Sequence, residues 1–472
     1  LRKAAFLMTL LTVYILCLLF CTNFCDLLKF ESAQRDIYLN SHKINAKYDI
    51  VVKNYGNSPE EVLEFIFNHQ ICSKIYFISA TQDGSNTLLT KHASTNTSKY
   101  CYFRINLLEK IEPNSESTIS LKIVFGRRLS PFPKETTQTE EQSFLFYDDF
   151  FIDTIYEVIT QMTNIHIDKP QLLSISDDPM VKTSPNMIKI GPMVNAPPFS
   201  SKQFYLLFKY SAPLMVIDKM LSTYQISEWG MINICHDFWV HNEAAALKSG
   251  YSRFSDNQHD PHAAYGWEMQ IPINSYNIYY RDALGNISTS AIERNGGSYQ
   301  LTLEPRFPIF GGWKTYYYVS YIITPLNFLF KDKNHVNKRV FRFELLGAPM
   351  NEYIIDKAKI IVLLPEGAYD IDLKYQSIEF TSVRHTLQHS YLDFYGRPSL
   401  EFKLSNGCLE KNVEIEISYY FTDGTLLRKP LMVSFTIFVI MMSFQLIVSM
   451  KMPVLSSKKD EKINERDNLI NE

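Results

Sequence analysis

What this chain lacks narrows its chemistry first. Its 472 residues contain no Gly-x-Ser-x-Gly elbow and no His-Glu-x-x-His pair, the compact signatures of many serine hydrolases and zinc peptidases. A triad assembled from distant residues stays open at this point. No spaced Cys/His set of the kind that holds zinc occurs either. His236, His241, His259 and His262 cluster in sequence, but His236 and His241 are five apart, so on one strand they would point to opposite faces. His259-Asp-Pro-His262 reads as a polar loop. Asp148-Asp149 and Asp177-Asp178 read as solvated loop carboxylates rather than a paired acid and base. Neither a metal nor a cofactor is expected.

Charge of one sign is also missing. The chain has 47 Lys and Arg against 50 Asp and Glu, a net charge of -3. A nucleic-acid partner would need a basic stripe, which is absent. The lysines after Pro453 are interleaved with Asp460, Glu461 and Glu465, a solvated tail more than an anionic-lipid site. Of the seven cysteines, Cys17, Cys21 and Cys25 sit in or beside an apolar N-terminal run. Cys72, Cys101, Cys235 and Cys408 remain. An oxidising compartment permits a disulfide within each half, with the pairing and the alternative of buried free thiols both open. No internal repeat or low-complexity tract is evident.

What is present is a period of two. Val413-Glu-Ile-Glu-Ile-Ser418 alternates apolar and polar residues, and similar strands are expected at 48–53, 75–80, 100–106, 117–125, 205–210, 299–303 and 340–345. Turn clusters such as Asn54-Tyr-Gly-Asn-Ser-Pro59 and Asp83-Gly-Ser85 separate them, a pattern that points to β-sandwiches. Helical patterns are few: 216–228 is the best and 242–248 a shorter one. A chain of this length exceeds what one core usually organises. The expectation is therefore mainly β, with two β-sandwich-like domains at 26–225 and 226–428; the proline-bearing stretch 191–198 is a rival boundary.

The two ends read differently. Arg2 and Lys3 precede an uncharged run over 4–20, the layout of a secretory signal peptide spanning about 1–25, with a retained membrane anchor as its alternative. The run 431–450 has no charge and, at about 1.5 Å per helical residue, matches the bilayer hydrocarbon thickness. It reads as a transmembrane helix followed by a short cytosolic tail, 451–472. Gln445, an amide near its middle, is a candidate contact for another membrane helix. A signal peptide places the body in the lumen. Two glycosylation sequons follow from that topology, Asn96-Thr-Ser98 and Asn286-Ile-Ser288.

Between these ends, Ile278-Tyr-Tyr-Arg-Asp-Ala-Leu-Gly-Asn-Ile-Ser-Thr-Ser290 is followed by Glu304-Pro-Arg-Phe-Pro-Ile-Phe-Gly-Gly-Trp313. In the first, Arg281, Asp282 and Gly285 mark a strand ending in a turn. In the second, Arg306, Phe307 and Pro308 precede Gly311 and Gly312, which are expected to let backbone pass close beside Trp313. Both segments resemble the ribophorin I family, a subunit of the oligosaccharyltransferase complex of the endoplasmic reticulum. So do Leu129-Ser-Pro-Phe-Pro133, Ile226-Ser-Glu-Trp-Gly230, Leu364-Pro-Glu-Gly-Ala368 and Tyr391-Leu-Asp-Phe-Tyr-Gly-Arg-Pro398, in the family's order. The resemblance implies a non-catalytic, single-pass type I glycoprotein of the endoplasmic reticulum membrane. Its partners would be the other subunits, including the multi-span catalytic subunit that moves lipid-linked oligosaccharide to Asn of sequons, and nascent polypeptides. The translocon is a further candidate. The alternative from another class is a stand-alone lumenal or cell-surface binding protein of the same topology; a membrane-tethered hydrolase is a third reading.

Overall fold

The computed structural model describes residues 28–451 apart from 40–41, 87, 93–98, 168–170, 211, 249, 253–261, 348–352, 376–379 and 391. The expected signal segment, the three cysteines beside it, the Asn96 sequon, His259 and the tail from 452 lie outside the described residues.

The chain is mainly β, with strands where the alternation placed them. Lys43–Asn54 buries Ile44, Ala46, Tyr48, Ile50 and Val52 on one face, and Glu116–Gly126 answers with Ile119, Leu121, Ile123 and Phe125. An eight-stranded sheet results, in the order Val181–Ser184, Met187–Ala196, Glu157–His166, Leu28–Tyr38, Lys43–Asn54, Glu116–Gly126, Ile75–Gln82, Ser85–Asn86. A three-stranded sheet and a four-stranded sheet cover its apolar face. Phe30 of the large sheet packs on Phe65 of the three-stranded one at 5.8 Å. Arg35 reaches across to Asp148 of the four-stranded one at 3.5 Å. Asp148 is therefore no solvated loop carboxylate: it lies buried on the strand Ser143–Asp149, between Arg35 and Arg128.

The second half repeats this plan. Its large sheet runs Ser382–Gln388, Arg397–Gly407, Ile354–Leu363, Met215–Ile226, Ile232–Asn242, Lys314–Ile323, Ser275–Asp282, Gly285–Asn286. Numbered by chain order within each half, both large sheets read 7-8-6-1-2-5-3-4, both three-stranded sheets 1-3-2 and both four-stranded sheets 3-4-2-1. In each large sheet the pairing of first and sixth strands is parallel and the others are antiparallel. An internal repeat thus exists in topology although the sequence shows none. In the second half Trp267 stacks on Tyr317 at 4.5 Å and Tyr224 meets Phe343 at 4.8 Å, joining the two smaller sheets to the large one.

Two expected helices are strands or loops. Met215–Ile226 is the first strand of the second large sheet, so the passage between the two groups of sheets falls between Lys209 and Met215, upstream of the boundary read at 225/226. A register shift between Ile217 and Lys219 breaks the strand's period, and the buried face includes the polar Ser222; both disguise the alternation. At 242–248 an alanine run reads as helical, but Asn242 organises it. Its Oδ1 accepts from the Leu214 and Ala244 amides, and its Nδ2 donates to the His262 and Ile309 carbonyls. Ala246–Leu247 then pairs in parallel with Glu135–Thr136 of the first half. The stretch 191–198 belongs mostly to the strand Met187–Ala196.

The halves are joined by an apolar seam of Tyr76, Val124, Val216, Ile354 and Cys408. Gly126 borders it, and a Cβ there would come within 2.4 Å of the Tyr76 ring and 2.8 Å of Ile354. Around the seam, Arg127 pairs with Asp356 at 2.8 Å and Glu243 at 3.1 Å, while Tyr76 donates to Asp356 at 2.7 Å and Lys43 meets Glu410 at 2.6 Å. Arg127 holds a φ of 54°, a strained setting for a residue with a Cβ. Its three carboxylate neighbours, Asp218 included, hold it there.

Candidate functional site

Chemistry at the histidines is settled by what surrounds each. His236 is fully buried between the Ser222 hydroxyl (2.8 Å from Nδ1) and Tyr321 (3.2 Å from Nε2). Burial pushes its pKa down to about 3, so it is neutral and sealed, and the serine beside it is equally inaccessible. His241 instead pairs with Asp218 at 2.8 Å and Glu243 at 3.0 Å, and His42 from the first half takes the other Glu243 oxygen at 2.7 Å. Burial raises the Glu243 pKa, but the hydrogen bonds from His241 and His42 and the charge of Arg127 more than offset this and hold it well below the usual carboxylate range. His262 bonds the Glu140 carbonyl. His236, His241 and His262 therefore do not share a site. Asp178 caps the Met180 amide and pairs with Lys202, a loop role.

The segment containing Arg281 and Asp282 and the segment containing Arg306 come together. Asp282 accepts from the Leu284 and Gly285 amides, closing the turn between the strands Ser275–Asp282 and Gly285–Asn286. Arg306 grips that turn from outside, bonding the Asp282 carboxylate and the carbonyls of Gly285 (3.2 Å) and Asn286 (3.0 Å). Asn286 is exposed on it, its side-chain oxygen held by Arg281. Phe307 packs edge-on against Trp313 at 6.0 Å, with Pro308 between Phe307 and the buried Ile309. The glycine pair does something other than expected. A Cβ on Gly311 would lie 1.9 Å from the Ala245 carbonyl oxygen, so the close approach is to backbone at 244–245. Gly312, at a φ of +78°, donates to the Asn242 carbonyl. Trp313 is half-buried against Phe310 and Tyr251.

The cysteines divide. Cys72 and Cys101 form a disulfide, joining the short helix His69–Cys72 to the strand Tyr100–Ile111. Cys235 and Cys408 are free, and burial pushes both thiols up to about 12, with Asp237 and Glu410 respectively adding to it. Neither is a nucleophile at neutral pH.

A dense polar constellation stands where the second half meets the C-terminal helix. Lys429 places its ammonium 2.8 Å from Glu228, 2.7 Å from Asp393 and 4.0 Å from Glu366. Arg397 joins Asp393 at 3.1 Å and Glu228 at 3.3 Å. Glu366 in turn accepts from the Phe394 and Tyr395 amides at 2.8 and 2.7 Å. Glu228, Glu366 and Asp393 could by distance alone hold a cation, yet the Lys429 ammonium and the Arg397 guanidinium already serve them. The helix Arg428–Lys451 has no buried residue among those described, and the stretch Asp423–Ser449 is long and apolar enough to cross a membrane. Pro430 is harmless in its first turn, where amides have no intrahelical partner. Cations there oppose the helix dipole, so the three carboxylates serve the charge and the dipole together. Thr436 and Ser443 return their hydroxyls to carbonyls of their own helix, while Gln445 lies exposed.

The family profile described as Ribophorin I matches residues 28–448. The chain belongs to the ribophorin I family. Its relatives include the dolichyl-diphosphooligosaccharide–protein glycosyltransferase subunit 1A of Arabidopsis thaliana, 29% identical over 67% of this chain and 51% of that protein. Subunit 1 of Caenorhabditis elegans is 26% identical over 87% of this chain and 70% of its own length. Subunit 1B of Arabidopsis thaliana is 26% identical over 88% and 91%. The chain thus spans about half of the first of these relatives. The native leukotriene A4 hydrolase of Saccharomyces cerevisiae is similar at 10% identity and a TM-score of 0.28, covering 43% of this chain and 32% of that one, too loosely to carry an argument.

Three of the segments that resemble the ribophorin I family supply the juxtamembrane cluster: Glu228 comes from the first, Glu366 from the second, Asp393 and Arg397 from the third. Sequence reasoning quoted these segments without assigning those four side chains or Lys429 a role. The available signal was a carboxylate in each of three turn segments and a lysine at the head of an apolar run.

Gly311→Ala is expected to destabilise the protein by about 3 kcal/mol, since backbone bounds the intruding methyl. Trp313→Ala should cost less, about 2 kcal/mol, because the lost ring is only half-buried. Thermal unfolding of the purified variants checks the order, and the reverse order would contradict it. The juxtamembrane cluster should also respond to acid. Burial raises the Glu228 and Asp393 pKa values, but hydrogen bonds from Lys429 and the charge of Arg397 lower them further, below their ordinary range. Their stabilisation is then present above about pH 4 and is lost as pH falls through the lower folded values. Exchange protection of the Ser390 amide, which donates to Asp393 at 2.8 Å, should hold from about pH 7 to about pH 5 and fall only in stronger acid. A loss near neutrality would contradict the assignment.

Proposed function

We propose that this chain is a non-catalytic subunit of an oligosaccharyltransferase, the complex that transfers lipid-linked oligosaccharide to Asn of Asn-x-Ser/Thr sequons in nascent proteins. The observation that carries the reading is membership of the ribophorin I family across nearly the whole folded body, with relatives named as subunit 1 of that enzyme. In this reading the chain sits in the endoplasmic reticulum membrane after removal of a signal peptide, its body lumenal and its C-terminus cytosolic. It braces the complex and presents nascent polypeptide to the multi-span catalytic subunit, next to the translocon. Such a subunit acts by holding acceptor and catalyst in productive geometry, a gain in proximity rather than in bond making. The exposed Gln445 supports a helix that packs against others, since an amide in hydrocarbon gains about 1 kcal/mol from a partner.

The tagged chain should copurify in detergent with a many-span glycosyltransferase. Its depletion should lower sequon occupancy across many secreted proteins, unevenly among acceptors, with the catalytic subunit at intact levels. Site occupancy by mass spectrometry checks this, and normal occupancy throughout would overturn the reading.

Asn286, exposed beside the Arg306-gripped turn, is the proposed glycan site of the chain itself. Glycosidase treatment should shift the mobility of the wild-type chain by more than that of Asn286→Gln. Equal shifts would remove the site.

A further inference from the structure

Three large aromatic side chains stand exposed beside the head of the C-terminal helix: Trp229 at 66%, Phe394 at 72% and Tyr395 at 64%. All three are linked through Glu366. Trp229 lines a small cleft with Glu228, Glu366, Leu426, Lys429 and Pro430. The Phe394 and Tyr395 rings meet edge-on at 4.8 Å, and the Arg428 guanidinium lies 5.6 Å from the Tyr395 ring. Their positions are fixed rather than incidental. The buried Glu366 carboxylate takes both the Phe394 and Tyr395 amides, and the Ser227 hydroxyl takes the Trp229 amide at 3.3 Å. Backbone hydrogen bonds, two of them to a buried carboxylate, thus hold apolar rings in the open, which soluble surfaces rarely do in clusters.

The helix states where that cluster lies. The charges of its first turn end at Lys429, its apolar run begins at Leu431 and no further charge occurs before Lys451, so if the helix spans a bilayer, Arg428 to Pro430 stand at headgroup depth. Whatever touches those residues is at that depth as well. Trp and Tyr, each an apolar ring with a polar edge, are the side chains that favour this layer. We propose that the second half of the chain rests on the bilayer through Trp229, Phe394 and Tyr395, a lipid-facing foot that supplements the helix as a second point of attachment. The occupant is the headgroup and upper acyl layer of the same membrane the helix crosses. Contact with lipid is favoured over a protein partner because the patch is continuous, through Arg428 and Lys429, with the first turn of a helix long and apolar enough to cross a membrane. A single helix leaves the body free to tilt and swivel; a foot set to one side of it removes that freedom. The proposal rests on the membrane-spanning reading of the helix and not on the glycosyltransferase assignment.

The test uses the full chain reconstituted alone in phosphatidylcholine nanodiscs, with p-benzoylphenylalanine introduced singly as Trp229→p-benzoylphenylalanine, Phe394→p-benzoylphenylalanine or, as a control in the first half, Phe132→p-benzoylphenylalanine. Phe132 is also exposed, at 56%. After irradiation, mass spectrometry should find phospholipid adducts at 229 and 394 at least about ten times more abundant than at 132, by the interfacial placement argued above. Absence of lipid adducts at both positions, or equal yields at all three, would overturn the proposal. So would adducts to another polypeptide in place of lipid when the same variants are irradiated in native membranes. Resistance of each variant to alkaline carbonate extraction reports separately on whether the helix is inserted.

Discussion

The position of the folded body relative to its helix depends on one cation, the ammonium of Lys429. It sits at the positive end of a helix dipole, where a lysine alone would be unfavourable, and two carboxylates accept from it at hydrogen-bond distance. The Asp393 side chain is fully enclosed and Arg397 nearly so. Removing Lys429 would leave Arg397 as the one cation on Glu228 and Asp393 within the cluster, and the enclosed Asp393 would lose its shortest ion pair. Three loops that are distant in sequence must be in place for the cluster to close. The junction between helix and body is therefore assembled by the tertiary fold and not by the residues next to the helix.

The seam extends that fixed geometry to the first half. Apolar packing around Tyr76 and Ile354, the ion pairs of Arg127 and the parallel pairing of Glu135–Thr136 with Ala246–Leu247 engage the second half in three different ways. Leu214 and Ala244, from the second half's side, complete the first half's core. A hinge would need an interface that can slide, and this one interlocks apolar core, charge and backbone.

The strands were legible because most carry their own pattern: 413–418 alternates cleanly, 117–125 alternates up to the buried Val124, and both overlap observed strands. The strand Met215–Ile226 was not, because a bulge at Asp218 and a buried Ser222 hide its period, and the serine makes sense only once His236 is opposite it. Asp148 looked like a loop residue because its arginine partners lie 20 residues or more away in the chain. The repeat escaped notice for a deeper reason. Strand order is carried by which surfaces pair, and many sequences satisfy the same pairing, so two copies can keep a topology after losing recognisable identity. At the candidate site, the segments were visible through resemblance, whereas their convergence on Lys429 is long-range and had no local signature. Gly311 was recognised as a place of close approach, but the backbone it approaches could not be read from its neighbours.

The central parallel pair in each half has a consequence for synthesis. Strand Leu28–Tyr38 finds its parallel neighbour only at Glu157–His166, with Arg35 bonding Thr163 at a sequence separation of 128. The same holds for Met215–Ile226 and Ile354–Leu363. A ribosome delivers the first strand long before its mate, so each copy waits with one side of its middle strand unpaired while later hairpins form around it. Because Glu157–His166 precedes Met215–Ile226 in the chain, the first half can fill its gap before the second half's middle strand has emerged. The order of the two like-patterned halves along the chain thus lets each large sheet close around its own middle strand in turn.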